Sequence, residues 1–585
     1  MKNRLQFLQD IWRLARPYWF SEERWVGRGL LAVIVSMSLG LVYITVLLNQ
    51  WNNAFYDTLQ NRDLNGFYKQ LGYFCVLAAV FIVIAVYRLY LNQMLQIRWR
   101  RWLTDRFLDQ WLSGKVYYGL QMRGGQTDNP DQRIADDIGG FVTQTLTLSL
   151  GFLEAVVTLI SFLGILWGLS GTLDVTLFGH AWTVPGYMVW VALGYSVLGT
   201  WLTKVVGKPL IRLNYDQQRY EADFRFSLVR LRENVEGVAL YRGEADEKVI
   251  FRERFSNVVR NWWAIMKRRK QLSWLINSFG QVADVFPFVA CAPRYFSGAI
   301  QLGGLMQTAS AFGRVQGALS WFVDAFTELA SWKATVDRLT TFVRAMEEAR
   351  EVRAGAQALS PAKGATEELR ISGLELDLPG GEPLLTGIDL TVSPGQAVLV
   401  NGPTGCGKST LLRAIAGLWP YGRGNIDLPS TGKAVFLPQK PYLPIGTLRT
   451  VISYPTPAGG LDDTDIRAAL TACGLSHLAS RLDEAVSWYQ ELSPGEQQRL
   501  AFARLMLQAP DWIFLDEATS AMDEQSERAM YTWLRGHLPR SAIVSVGHRE
   551  SLRTFHERAL SIGSGRPGTA TIALVAGAVD RVEPL

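Results

Sequence analysis

The sequence is poor in cysteine and in charge, and each shortage narrows what the chain can be. Its four cysteines are Cys75, Cys291, Cys406 and Cys473. They fall at no metal-ligand spacing and two lie in apolar runs. Neither a disulfide framework nor a thiolate metal centre is expected, and the thiols should be reduced. Charged residues make up 19% of the 585 positions, below the roughly 25% usual for soluble domains. From Met1 to Arg28 the chain is amphipathic, carries Glu22 and Glu23, and has no apolar stretch closing on a small-residue cleavage site. A cleaved secretory signal is therefore not expected there. No internal repeat is visible. The net charge of +6 does not imply a nucleic-acid partner, because in a chain with long apolar runs basic residues mark cytoplasmic loops.

Those runs all lie before Arg338. A membrane helix needs about 20 mostly apolar residues. Candidates are Leu30–Leu48, Leu71–Leu91, Phe141–Leu169, Tyr187–Val206, Leu272–Ala292 and Leu305–Leu329. The last two carry Asp284, Arg314 and Asp324. Basic and charge-poor loops alternate between them. The segment 92–140 holds Arg98, Arg100, Arg101, Arg106, Lys115 and Arg123, and 204–270 ends in Lys267-Arg268-Arg269-Lys270. The loop 170–186 has no Lys or Arg, and 49–70 has only Arg62 and Lys69. By the positive-inside rule this gives about six spans with both termini in the cytoplasm. The two basic segments read as extended helices that continue the spans towards a following domain. Glu154 and Asp284 are ionisable residues inside spans. Burying such a charge is costly, so each is a candidate transport residue. Glu154 could line a cavity, bind a cation, take a proton or simply make a helix contact. Asp284 precedes Pro287, where a kink could open backbone to a cavity.

After Arg338 the composition turns charged and Ala-rich, and Pro361 and Gly364 punctuate it. The expected division is a membrane domain at 1–345, a linker at 346–366 and a nucleotide-binding domain at 367–585. Short strands are expected from Leu369, at Leu369–Ile371, Ile388–Val392 and Gln396–Val400. The apolar strand Ala397–Val400 leads into Gly402-Pro403-Thr404-Gly405-Cys406-Gly407-Lys408-Ser409-Thr410, and a helix, Leu411–Gly417, follows. This is a P-loop in the context the motif needs. Its glycines let backbone N–H groups wrap phosphates at a helix N-terminus. Lys408 should reach the β- and γ-phosphates of ATP and Ser409 should hold Mg²⁺. Trp512-Ile513-Phe514-Leu515-Asp516-Glu517 is an apolar strand ending in two carboxylates. Asp516 is placed near Mg²⁺, and Glu517 beside the γ-phosphate, where it can polarise water.

Four further stretches occur in a telling order. Phe436-Leu437-Pro438-Gln439 resembles the Q-loop of ABC ATPases. Leu492-Ser493-Pro494-Gly495-Glu496-Gln497-Gln498-Arg499 resembles their signature motif. Ser520-Ala521-Met522-Asp523 resembles the D-loop, and Ser545-Val546-Gly547-His548-Arg549 the switch histidine. The resemblance implies roles. The signature of one subunit, through Ser493, Gly495 and Glu496, would cap ATP on the P-loop of a second copy. Gln439 would sense Mg²⁺ and water, His548 would position Glu517, and Asp523 would lie at the nucleotide interface. Two positions depart from the pattern, Pro494 for the first signature glycine and Glu496 for its glutamine. The adenine-stacking aromatic is not evident in Leu374–Pro379.

In the membrane half, three segments resemble a narrower group: Asp128-Asn129-Pro130-Asp131-Gln132-Arg133-Ile134, Tyr220–Phe226 and Arg232–Glu244. They are similar to the SbmA/BacA peptide-uptake proteins and to the peroxisomal fatty-acyl ABC half-transporters of the D subfamily. The third resembles the EAA-like coupling stretch. The resemblance implies a helical exporter-type membrane domain joined to an α/β P-loop ATPase. It implies a homodimer in a bacterial inner membrane, using ATP and Mg²⁺, in contact with membrane lipid. The resemblance to SbmA/BacA implies import of hydrophilic cargo such as peptides and that to the D subfamily fatty-acyl cargo; a peptide, a corrinoid and an acyl-CoA are the candidates to test. A proton-coupled carrier with a regulatory ATPase is the alternative from another class.

Overall fold

The length of the apolar helices sets the first architecture. A computed structural model describes residues 2–122, 129–177, 180–355, 358–457, 459–563 and 568–574. Arg123 and Asp128, singled out from the sequence, lie outside them. The chain divides into two compact units: Met1–Asp109 with Asn129–Phe342, and Gln110–Asp128 with Val343–Leu585.

In the first unit, the helices Arg24–Gln60, Leu64–Leu112, Ile138–Ser170, Tyr187–Glu233 and Glu244–Phe296 carry the five stretches long and apolar enough to cross a membrane. The last two run 47 and 53 residues. At 1.5 Å per residue that is about 70–80 Å, more than twice a hydrocarbon core of about 30 Å. The spans therefore do continue as long polar helices. The loop expected at 49–70 is mostly helix as well, because Arg24–Gln60 and Leu64–Leu112 leave only a short turn between them. The sixth expected span differs from the sequence reading. It is a helix Leu302–Asp324 and a second helix Phe326–Ala354, interrupted at Ala325. The interruption is slight, since Ala325 N–H bonds Trp321 O and Leu329 N–H bonds Ala325 O. The polar residues Gln307, Arg314 and Gln316 keep Leu302–Asp324 out of the set of strongly apolar helices.

Polar side chains fix how these helices meet. Asn49 donates to Gln307 O at 3.1 Å and Asn53 to Gln307 Oε1 at 2.6 Å. Asp57 and Gln60 accept from the N–H groups of Gly303 and Leu302. Only glycine fits at 303, because a Cβ there would run into the Asn53 carbonyl oxygen. Pro287 does not break its helix, which continues through it. The loop 170–186 contains an antiparallel hairpin, Thr172–Leu177 with His180–Pro185. Near Pro130 a π-turn, Arg133–Asp137, leads into the third long helix. Asp137 is buried and accepts from Arg133 at 2.5 Å and from both Nε and Nη2 of Arg338. A buried carboxylate is tolerable when paired in this way. The Arg232–Glu244 stretch is the corner between the helices Tyr187–Glu233 and Glu244–Phe296. It holds a seven-residue helix, Val235–Tyr241, ended by Arg242 at φ +53°. Here Leu240 and Tyr241 are 76% and 90% exposed.

The second unit is built on one mixed sheet. Its strand order is Ala362–Lys363, Gly422–Leu428, Leu369–Asp377, Pro383–Val392, Gly568–Leu574, Arg558–Ile562, Ala397–Asn401, Ala542–Val546, Trp512–Asp516 and Ala434–Leu437. The last four strands pair in parallel. The near-continuous apolar sequences of Ala397–Asn401, Ala542–Val546 and Trp512–Asp516 fit strands covered on both faces, whereas the edge strand Ala434–Leu437 is largely exposed. The three expected strands are all present, the first two extended to Leu369–Asp377 and Pro383–Val392. The segment Gln110–Met122 belongs to this unit. Lys115 Nζ donates to Ala416 O at 3.1 Å, Arg350 to Gln110 O at 2.7 Å, and Arg353 to Gly417 O. Burial and the neighbouring Arg353 hold the Lys115 ammonium below its ordinary pKa. Within this unit, the part of the first basic segment from Gln110 to Met122 is thus held to the loop after helix Lys408–Ile415.

Candidate nucleotide site

The site starts where the buried strand Ala397–Asn401 ends. Gly402, Gly405 and Gly407 have φ of +151°, +80° and +103°, a region L side chains avoid. At Gly402 a Cβ would lie 2.6 Å from Ile562 O, so the backbone bends where no side chain fits. Helix Lys408–Ile415 begins at once, with Gly407 as its N-cap. The loop therefore turns N–H groups to one side at a helix N-terminus, a cradle for phosphate. Pro403, Thr404 and Gly405 are exposed, while Cys406, Lys408 and Thr410 are buried. The Lys408 ammonium donates to Gly402 O and Pro403 O, both at 2.8 Å, so the loop is curled around its own lysine.

The carboxylates converge on that loop. Ser409 Oγ donates to Asp516 Oδ1 at 2.8 Å. A hydroxyl and a carboxylate in contact are an oxygen donor pair suited to Mg²⁺. The next residue, Glu517, has φ +49°. A non-glycine residue in this region costs on the order of 1–3 kcal/mol and survives only where its surroundings hold it. Here its N–H bonds Val546 O at 3.0 Å. Gln439 Nε2 donates to Glu517 Oε2 at 2.9 Å, and His548 Nε2 lies 3.5 Å from Oε1. Two side chains singled out from separate motifs, Gln439 and His548, thus meet at the carboxylate of a third, Glu517.

The signature residues form a capping box. Ser493 is the N-cap of helix Pro494–Gln508, and Glu496 accepts from Ser493 N at 2.9 Å and from its Oγ at 2.7 Å. These bonds, Ser493 Oγ first, hold the Glu496 carboxyl below the usual range. His477 Nε2 stands 3.3 Å from its other oxygen. Gly495 is obligatory in another way, since a Cβ there would come within 2.9 Å of Ala521 O. Asp523 caps the next helix, Glu524–His537, accepting from Ser526 N at 2.8 Å. Its visible work is that cap, and these bonds lower its pKa.

Sequence reasoning quoted Gln498 in the signature stretch without giving it a role, and missed Arg504. Gln498 is 3% exposed. It donates to Gln439 O at 3.0 Å and to Ser520 Oγ at 3.2 Å, and accepts from Ala521 N at 2.9 Å. One amide thus ties the signature helix to the Q-loop and the D-loop. Arg504, on the same helix, donates to Val451 O and Tyr442 O, both at 2.7 Å. Burial pushes its guanidinium pKa down to about 10. The available signal was a polar residue on the buried face of a helix.

The transport candidates separate. Glu154 accepts from Arg88 Nη1 at 2.8 Å, and the same nitrogen reaches Ser38 Oγ at 3.3 Å. Asp284 is exposed, and neither residue touches it. Arg88 was overlooked because it sits in the last turn of the run Leu71–Leu91, where it reads as the start of a basic loop.

Comparison with known proteins agrees with this geometry. Residues 14–296 match the family described as ABC transporter transmembrane region 2, and residues 385–520 match the family described as ABC transporter. The chain is 35% identical over 538 residues to the inner membrane ABC transporter ATP-binding protein YddA of Escherichia coli, covering 92% of this chain and 94% of the relative. It is 32% identical to ABC transporter D family member 2, chloroplastic, of Arabidopsis thaliana, covering 96% and 87%. It is 30% identical to the human lysosomal cobalamin transporter ABCD4, covering 96% of each. A bacterial Atm1-family ABC exporter with ATP bound shares the fold with a TM-score of 0.66 at 17% identity, over 91% of this chain and 93% of that one. With a helical transmembrane region and an ABC ATPase domain on one polypeptide, the chain belongs to the ABC transporters, as a half-transporter similar to YddA and the D family that couples ATP hydrolysis to transport.

Proposed function

We propose that the chain works as a homodimer in a bacterial inner membrane and imports amphipathic cargo of the peptide class. The observation that carries the dimer is the corner helix Val235–Tyr241, whose Leu240 and Tyr241 stand almost fully exposed. Exposed apolar residues at a tight corner are a docking surface in want of a partner. The EAA-like resemblance of that stretch makes the partner the ATPase domain of the second copy. The division into 1–345, 346–366 and 367–585 is the functional one in this reading. The resemblance to SbmA/BacA supports peptide import.

In each copy, the P-loop from Gly402 to Thr410 would hold the phosphates, with Lys408 neutralising charge. Ser409 and Asp516, with Gln439 beside them, would hold Mg²⁺, which supplies charge screening on the phosphates. Glu517 would act as general base on water, held in place by Gln439 and His548. Ser493, Gly495 and Glu496 would cap the ATP of the partner, with Asp523 at the same interface. Closure and reopening of the paired ATPase domains would drive the long helices between two cavity openings.

A second reading has its own support. The D-family relatives, one of them a cobalamin transporter by name, favour a corrinoid or acyl-CoA cargo. Uptake into liposomes separates the readings, with a cationic peptide, a corrinoid and an acyl-CoA supplied to wild type and to Glu517→Gln. ATP-dependent uptake of the peptide, lost in the variant, is the expected result. Uptake of only the corrinoid or the acyl-CoA moves the cargo to the second reading. Uptake that survives Glu517→Gln and collapses with an uncoupler overturns ATP-driven transport in favour of a proton-coupled carrier.

A further inference from the structure

Cationic side chains of the ATPase unit crowd round one cavity. Its volume is about 360 Å³, and Gly114, Lys115, Arg350, Arg353 and Ala354 line it, all within that unit. The size is that of a small-ligand site. No carboxylate lines it, although Glu347, Glu348 and Glu351 lie on the same helix as the two arginines. Among the described residues, Lys115, Arg350 and Arg353 pair with no carboxylate. Their partners are neutral oxygens. Lys115 donates to Ala416 O, Arg353 to Lys115 O and Gly417 O, and Arg350 to Gln110 O and Ser113 Oγ. Arg350 spends only Nη2 on these bonds, so its Nε and Nη1 donors are left over.

Helix ends account for part of this charge. Ala416 and Gly417 follow helix Lys408–Ile415, and Gln110 lies in the last turn of Leu64–Leu112. A helix C-terminus carries about half a negative charge, so the pair of them offsets roughly one cation and leaves an excess of about two. The crowding is felt in the site, since burial first and then Arg353 hold the Lys115 ammonium below its ordinary pKa. A phosphoryl group carries about −1.5 to −2 near neutral pH and offers strong acceptor oxygens. It matches both the excess charge and the spare donors. The lining residues lie outside every apolar run of the sequence, which favours a soluble phosphate compound over a lipid headgroup.

We propose that this cavity is a second anion site of the ATPase unit, taking the phosphoryl group of a soluble compound on Lys115, Arg350 and Arg353. It stands at the C-terminal end of helix Lys408–Ile415, whose N-terminal end opens the P-loop cradle. The bound anion ties together the segment Gln110–Met122, the end of helix Phe326–Ala354 and the loop after Lys408–Ile415. It thereby stabilises the unit against unfolding. Neither the cargo nor the direction of transport bears on this site.

The experiment is equilibrium binding of radiolabelled pyrophosphate, without magnesium, to the full-length protein in phosphatidylcholine nanodiscs. The P-loop would take the same probe, so Lys408→Ala is the background throughout. Pyrophosphate is expected to bind this protein and to raise its unfolding temperature. Arg350→Gln weakens the binding on the order of tenfold, the worth of one charge-assisted hydrogen bond, and Arg350→Lys recovers part of it. Because Arg350→Gln also gives up the bonds to Gln110 and Ser113, a second pair of variants leaves all of these bonds in place. Ala354→Glu sets a competing carboxylate at the cavity and weakens binding by a similar factor, whereas Ala354→Gln, of the same size, does not. Equal loss in the two Ala354 variants would mean that shape alone is being read, and overturns the proposal. Absence of pyrophosphate binding, or binding indifferent to Arg350→Gln and Ala354→Glu, overturns it too. If phosphatidylglycerol in the nanodisc displaces the Arg350-dependent pyrophosphate, the anion is a lipid headgroup and the soluble assignment falls. Uptake by Glu517→Gln reports on ATP-driven transport alone, so the two ideas can fail separately.

Discussion

At the scale of single residues, Glu517 is the position where the chain accepts strain and spends two side chains on orientation. A left-handed backbone at +49°, an amide from Gln439 and the ring of His548 all bear on one carboxylate. Glu517→Gln should therefore keep the shape of the site and lose the base. We expect hydrolysis to fall by about 10²–10⁴-fold with ATP binding retained, as checked by phosphate release beside equilibrium nucleotide binding. Gln498 makes a different prediction. Its three hydrogen bonds join the signature helix, the Q-loop and the D-loop. Gln498→Ala leaves buried groups unpaired, at a cost of roughly 1–3 kcal/mol. Thermal unfolding should register that loss, and hydrolysis should fall while the affinity of the P-loop for ATP holds. The site residues of the motifs were legible because a P-loop needs glycines and a lysine at fixed spacing, whatever surrounds them. Gln498 and Arg88 were not, because their roles depend on which distant groups the fold brings to them.

At the scale of elements, the signature helix shows how a sequence departure becomes local chemistry. A carboxylate at 496 completes a capping box with Ser493, which a helix start rewards on its own. The Glu496 carboxyl is held below its ordinary range by Ser493. Stabilisation from a lowered carboxyl pKa is full above the unfolded-state value, about 4.3, and is lost as pH falls through the lower folded value. The stability difference between wild type and Glu496→Gln should therefore be constant near neutrality and shrink below about pH 4. Thermal unfolding of both proteins as a function of pH measures it. A difference that grows on acidification would contradict the cap geometry. Element boundaries were less legible than element types. The strand before the P-loop follows from an unbroken apolar run, and the long helices follow from spans continued by amphipathic sequence. The turn at 61–63 rests on short local bonds, Asp63 N–H to Thr58 O and Gly66 N–H to Asp63 Oδ1, which the apolar runs on either side mask, and no local pattern announces the slight break at Ala325.

At the scale of the whole molecule, the question is how a half-transporter becomes a transporter. The ATPase unit holds one P-loop and one signature, and Ser493 is engaged by Glu496 in its own helix. The corner helix Val235–Tyr241 leaves Leu240 and Tyr241 in the open. If a second copy receives that corner, the contact transmits closure to the spans, and damaging it should separate hydrolysis from transport. Leu240→Asp places a charge in the middle of an apolar contact, and desolvating it costs several kcal/mol. The expected outcome in liposomes is cargo uptake reduced at least tenfold, an amount that corresponds to about 1.4 kcal/mol, while ATP turnover continues. Tyr241→Phe keeps the apolar surface and should retain most uptake. Cross-linking between cysteines placed at 240 and in the ATPase domain should give a species of twice the chain mass in the presence of ATP. A Leu240→Asp protein that transports as well as wild type would mean that force passes by another route. The Gln110–Met122 segment, held by Lys115 to Ala416 O, would then be the element to break next.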